Sequence, residues 1–389
     1  SAADFPADMG EDFKFPMVKI QIAQKTSYPS WTDFSEVFPD EKDYDAFDLV
    51  WNELTDETPE NRSQLLGWPD VIQNSMFDEC DLVTQGYYLG NGWLNIPEAK
   101  ITALCDIRPE QMTAPAEKTK AACYTNFEEM LKKEELDVID ICLPTFLHAS
   151  YAVRALERGI HVLVEKPISL CKDDVDLIYE TAQKHHAKFM VAHVIRFWDQ
   201  YTYLRGLYQK QTYGRLLSGS MSRLGSTPKW SWDNWMTDES RSGLVPYDLH
   251  IHDLDFLIYT FGEPKNIIRH EGRSEGQDYI HAVYEYDGFF ISAEAAWFKG
   301  SSPFAAGYRF QFEHALITYE RDVLTVYEED GNILEFSPQG GLENGINLPS
   351  SDAYYNEIRY FADCVLKDEP VSILSKEELK TVIRILDSF

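Results

Sequence analysis

The chain has 389 residues, more than one ordinary domain, and 44% hydrophobic with 14% aromatic content supplies packed cores, so two or three globular domains are expected. A formal charge of -30, from 35 basic and 65 acidic side chains, argues against nucleic acid or an anionic membrane surface as a partner. Six cysteines without a CxxC pair, no apolar run near the roughly 18 residues of a membrane span, and an acidic start unlike a signal peptide lead to the expectation of a cytoplasmic protein.

Residues 1–91 form an acidic segment of unknown function, with 19 acids against 5 bases. Within it Phe47, Val50, Trp51 and Leu54 recur at helical spacing among Asp and Glu, the pattern of a solvated helix face. Residues 17–23, MVKIQIA, read as a strand. The run LLGWPDVIQ at 65–73, followed by Glu79 and Cys80, resembles a motif of the uncharacterised YwqG-like family. No chemistry comes with that resemblance, and the segment is expected to stay outside any active site.

The text changes character at Trp93. The apolar run 101–105 reads as a buried strand with Asp106 at its tip. In a dinucleotide fold such an acid binds ribose hydroxyls, and a glycine-rich turn closing a first strand lies about 20 residues before it. Here Gly86, Gly90 and Gly92 fall too close, and no glycine follows 17–23 until Gly67, so the first strand and its phosphate turn are missing. Two joined fragments, a stretch left out between them, or a natural fusion with a substitute strand would each explain the junction. Arg108 is placed to stack on an adenine or meet a 2′-phosphate, and the nearby acid favours NAD over NADP only weakly.

A helix is predicted at 126–133. After it, 137–167, DVIDICLPTFLHASYAVRALERGIHVLVEKP, reads as one strand, helix and strand unit. Val138, Ile139, Ile141 and Cys142 make a strand stopped by Pro144; Tyr151, Ala152, Ala155 and Leu156 mark a helix ended by Gly159; 161–164 is a second buried strand. A helix at 171–186 and a strand at 188–195 complete a doubly wound, Rossmann-like domain over 92–195.

From 196 to 389 the pattern becomes a second, α+β domain for substrate and oligomerisation. Short strands at 216–223, 282–286, 290–298, 308–312 and 316–319 imply a mostly antiparallel open sheet, closed by helices at 354–366 and 376–387. In SGLVPYDLHIHDLDFLIYTFG, 242–262, Asp248 and His252 are four apart and share a helix face, whereas His250 points elsewhere and reads as structural. Arg196 and the tryptophans Trp230, Trp232 and Trp235 are candidates for gripping polar substrate. The spacing of His250, His252, Asp253 and Asp255 does not support a metal site, so none is expected.

LPTxxH followed by EKP, with DxxxH some 80 residues on, resembles the Gfo/Idh/MocA family of nicotinamide-dependent oxidoreductases over about 93–389. The resemblance implies NAD or NADP as cofactor, and a hydride moved to or from a secondary hydroxyl of a sugar, cyclitol or sugar derivative. It implies cofactor contacts at Asp106, Arg108, Leu143, Pro144, Thr145, His148, Glu165, Lys166 and Arg196, and substrate contacts at Arg196, Trp230, Asp248 and His252. Lys166, Asp248 and His252 would be the catalytic set: removing a hydroxyl proton as hydride leaves needs an acid/base group near neutrality, beside a cation that steadies the alkoxide. A homo-oligomer, dimer or tetramer, would form through the open sheet face. Without the phosphate turn, a non-catalytic ligand- or protein-binding relative, or a hybrid chain with no single role, stays open as the alternative.

Overall fold

The computed structural model describes residues 92–229, 231–336 and 353–389. The acidic segment and Trp230 lie outside the described residues.

The first part is a parallel α/β layer: β1 (Ala103–Cys105), α1 (Thr113–Thr119), β2 (Ala122–Tyr124), α2 (Phe127–Lys133), β3 (Val138–Ile141), α3 (His148–Leu156), β4 (His161–Glu165), α4 (Lys172–Lys184) and β5 (Phe189–Ala192). Sequence sets the limits of these elements. Asn126 caps α2 by accepting from Glu129 N at 3.0 Å. Pro144 follows β3, and Gly159, at φ +74, lets the chain leave α3 through a conformation that a side chain would strain. Val162, Leu163 and Val164 are fully buried, as is nearly all of β5, so each such side chain contributes on the order of 1.5–3 kcal/mol. The parallel sheet is divided: β1 pairs β2, and β3 pairs β4 which pairs β5, with no strand joining the two groups among the described residues.

After α5 (Asp199–Lys210) comes β6 (Leu216–Ser226), then the short α6 (Glu239–Ser242) and α7 (Ile251–Phe261). Strands β7 (Asn266–Ser274), β8 (Gln277–Glu285), β9 (Phe290–Phe298), β10 (Ala305–Phe312), β11 (Ala315–Glu320), β12 (Val323–Glu328) and β13 (Ile333–Phe336) follow, and α8 (Ala353–Leu366) and α9 (Lys376–Leu386) close the chain. The eight strands form one sheet in the order β13-β12-β11-β10-β6-β9-β8-β7, antiparallel except for the β6–β9 pair. Alternating burial along β8 and β9 puts one face on α7 and the core and leaves the other open.

Several details differ from the sequence expectation. The strand expected at 188–195 stops at Ala192 because the chain turns into a 3-10 helix at Val194–Phe197. β8 begins at Gln277, not 282, and β7, β12, β13, α1 and α5 were not among the elements expected from the sequence, although α5 carries Tyr201, Leu204, Leu207 and Tyr208 at helical spacing. β7 is almost wholly exposed, so no apolar alternation marks it.

Candidate active site

The exit of β4 and the start of α7 meet at one point. Lys166, the first residue past β4, donates from Nζ to the Asp248 carbonyl oxygen at 2.8 Å and to Asp248 Oδ1 at 2.9 Å. Asp248 can present both groups because Pro246–His250 forms a single π turn ahead of α7, a wider turn of the kind found at functional sites. Gly243, at φ +73, ends α6, and a Cβ there would lie 2.4 Å from the Tyr247 ring, so the glycine makes room for the turn to pack.

His252 follows one turn later. Its Nδ1 is shut from solvent and has no hydrogen-bond partner. Burial pushes the imidazole well below its ordinary pKa, and the Lys166 and Arg223 cations add to the effect, so the ring is neutral near pH 7. His250, by contrast, is fully buried and bonds through Nε2 to the Tyr284 hydroxyl at 2.6 Å, a packing role.

Two buried ion pairs flank this point. Arg196 Nε and Nη2 donate to Asp255 Oδ2 and Oδ1 at 2.8 and 2.7 Å, and Nη1 donates to Ile373 O at 2.6 Å and faces Glu378 at 3.3 Å. Arg223, reaching in from β6, donates to Asp253 Oδ1 at 2.8 Å and to the Tyr201 hydroxyl at 3.2 Å. Burial works upward on the Asp255 carboxyl, but Arg196 and His193 outweigh it and the group ends below its usual range. His193 stands between these charges, Nδ1 3.5 Å from Asp255 Oδ2; burial pushes it down to about 4, against Asp255 and with Arg196 and Lys166.

Two of the expected contact residues are engaged within the protein. Arg196 is 2% exposed, and its fork is taken up by Asp255, Ile373 and Glu378. His148 is likewise enclosed, with Nδ1 2.7 Å from Pro167 O and Nε2 2.6 Å from Leu143 O, so it pins the two strand exits together. The remaining residues keep their places at the exits: Leu143, Pro144 and a buried Thr145 past β3, and Glu165, whose Oε2 accepts from Lys166 N at 2.8 Å. Asp106, past β1, accepts at Oδ1 from Arg108 N at 2.8 Å and Arg108 Nε at 3.3 Å. Sequence reasoning missed Arg223 and His193, and weighed Asp253 and Asp255 only as metal ligands. The HDLDFL run pointed at the two aspartates, but nothing local announced partners 30 and 59 residues away.

The comparisons match this layout. A model described as "Oxidoreductase family, NAD-binding Rossmann fold" (GFO_IDH_MocA) matches residues 84–193, and one described as "GFO/IDH/MocA C-terminal domain" matches 201–315, together more than half of the chain. The chain belongs to the Gfo/Idh/MocA oxidoreductase family. Among its curated relatives in that family, 2,7-anhydro-N-acetylneuraminate hydratase of Mediterraneibacter gnavus is 28% identical over 51% of this chain and 54% of its own. UDP-N-acetylglucosamine 3-dehydrogenase of Acidithiobacillus ferrooxidans is 24% identical over 70% of this chain and 83% of its own. The chain spans about half the length of the first curated relatives it matches. A solved levoglucosan dehydrogenase, in complex with NADH and levoglucosan, shares the fold at a TM-score of 0.64 and 17% identity, over 79% of this chain and 91% of that one. No described helix is long and apolar enough to cross a membrane.

Proposed function

We propose that this chain moves a hydride between NAD(P) and a secondary hydroxyl of a sugar, cyclitol or sugar derivative. The observation that carries the reading is Lys166 held on Asp248, with His252 one helical turn on, its Nδ1 without a hydrogen bond and its ring within electrostatic reach of the Lys166 ammonium. Two of the three Lys166 donors are anchored on Asp248, which leaves one for a substrate oxygen. His252, held neutral by burial and nearby cations, is in the state that accepts a hydroxyl proton. Asp248 fixes the ammonium, through which it acts on substrate orientation. When bound, the nicotinamide supplies the hydride acceptor or donor. The residues fit such a group at its two ends: Asp106 for ribose hydroxyls at the β1 exit, and Leu143, Pro144, Thr145, Glu165 and Lys166 around the ring at the β3 and β4 exits. The sugar names of the relatives support the substrate class.

A second reading, a non-catalytic ligand- or protein-binding relative, rests on the absence from the sequence of a glycine-rich phosphate turn at the usual distance before Asp106. Energy transfer from protein tryptophan to NADH, followed by a panel of sugars and cyclitols with absorbance at the reduced nicotinamide band, separates the two. Binding and turnover sustain hydride transfer; no transfer signal at millimolar NADH removes it and leaves the binding relative.

A further inference from the structure

Three ring nitrogens in one part of the site are sealed from solvent and have no hydrogen-bond partner among the described residues: Nδ1 of His252 and both nitrogens of His193. Buried polar groups in a folded protein nearly always have partners, so a cluster of three without any calls for a function, an internal water, or both. The hydride-transfer reading gives His193 no part.

The fold brings the two rings together from two elements. His193 is the first residue past β5, and the pairing of Glu165 with Ala192 sets it beside Lys166, the first residue past β4. Its Nδ1 lies 3.5 Å from Asp255 Oδ2. Asp255 and His252 are three apart on α7, so they share a helix face, and His193 stands against that face. Neither ring bonds the other directly, so a link between them passes through an intervening water.

The polarity of such a link follows from its two ends. Arg196 and His193 hold the Asp255 carboxyl below its usual range, so it is ionised and can only accept. A carboxylate beside Nδ1 of His193 favours the proton on that nitrogen, which leaves Nε2 as a buried acceptor. At the other end, His252 must present a lone pair to take a hydroxyl proton. Its Nδ1 is the sealed nitrogen, so Nε2 is the one that a substrate can meet, and the ring's own proton then sits on Nδ1. That Nδ1–H needs an acceptor. Asp248 is committed to Lys166, whereas Nε2 of His193 has no other partner.

We propose that His193 is a positioning residue for His252: Asp255 accepts from His193 Nδ1–H, His193 Nε2 accepts from one internal water, and that water accepts from His252 Nδ1–H. The chain of bonds holds His252 in the tautomer whose Nε2 takes a proton, and it rests on the hydride-transfer reading for where that proton comes from. Both histidines are neutral near pH 7, as the chain requires. Burial pushes His193 down to about 4 and His252 well below its ordinary value.

Nitrogen-15 spectra of the histidine rings in the full chain, without cofactor or sugar, test this directly. The His252 signals are those that His252→Ala lacks. At pH 7.5 wild-type His252 is expected as the Nδ1–H tautomer, against the Nε2–H form that a free histidine side chain prefers. His193→Phe keeps a ring and removes both nitrogens, so His252 should return to the Nε2–H form. His193→Gln keeps an acceptor and should leave His252 as Nδ1–H. With a sugar that the wild type turns over, His193→Phe should lower kcat by about 10- to 100-fold with little change in KM, and His193→Gln should recover most of the loss. An Nε2–H tautomer in the wild type overturns the proposal and needs no folded variant. An unchanged Nδ1–H signal in His193→Phe overturns it as well. If the tautomers behave as expected while no sugar supports turnover in the wild type, the hydride-transfer reading fails and the His193 contact stands.

Discussion

The two groups of parallel strands make an instructive contrast. β4 and β5 are buried along nearly their whole length, and their exits are fastened to the second domain by Lys166 on Asp248 and by Arg196 on Asp255. β1 and β2 are three residues each, half-buried or exposed, and they pair only with one another among the described residues. Lys166 and Arg196 are thus held by pairs that reach into the second domain, whereas Asp106, past β1, is held by Arg108 two residues away.

The strongest way to break that contrast is kinetic. Lys166→Ala and His252→Ala should each lower turnover by about 10²- to 10⁴-fold, with little change in NADH affinity for His252→Ala; steady-state rates with the best sugar from the panel would measure it. Equal turnover in wild type and variants would show that the well-packed end is structural only.

Next in size comes stability. Arg196→Ala strands the buried Asp255 carboxylate and should cost about 3–5 kcal/mol in urea unfolding. Arg108→Ala, which breaks the partly exposed pair with Asp106, should cost no more than about 1 kcal/mol. A smaller step in the same direction compares Leu163→Ala, expected at about 2–5 kcal/mol because Leu163 is fully enclosed, with Leu104→Ala on half-buried β1, expected at less than half as much.

A last contrast lies in acid stability. His193 and His250, held down to about 4 and about 3 by burial, and His252 and His148, also lowered, take up protons only on unfolding as pH falls below 6.5. Each withdraws up to about 1.4 kcal/mol per pH unit from that point down to its own folded value. Asp140, raised to about 7, and Asp253, also raised, act oppositely, since the folded form of each binds its proton first. With His161, also lowered by burial, five histidines against two aspartates leave stability falling between pH 6.5 and 4. Asp140→Asn should steepen the fall, as urea midpoints at pH 7, 5.5 and 4.5 would record.

How much of this was legible in the sequence follows from range. The strand, helix and strand unit at 137–167 reads directly, because continuous apolar runs and Gly159 act locally, and β3, α3 and β4 sit where the run predicts. Lys166, Asp248 and His252 stand out through short motifs. The buried partners of Arg196 do not, because an arginine beside aromatics looks the same whether it waits for a ligand or for a buried aspartate. The carbonyl partners of His148 belong to the backbone and leave no mark in residue type. β7, almost wholly exposed, carries no apolar alternation to be read.

The two aspartates of α7 have one more consequence. Asp253 and Asp255 are two positions apart, so they leave the helix about 200° apart around its axis. Asp253 is gripped from β6 of the second domain and Asp255 from the exit of β5 in the first. The helix is therefore held from opposite sides and cannot roll. His252, the residue just before this pair, makes no hydrogen bond through Nδ1 that could aim its ring. The backbone that carries it is nonetheless fixed in place from both sides.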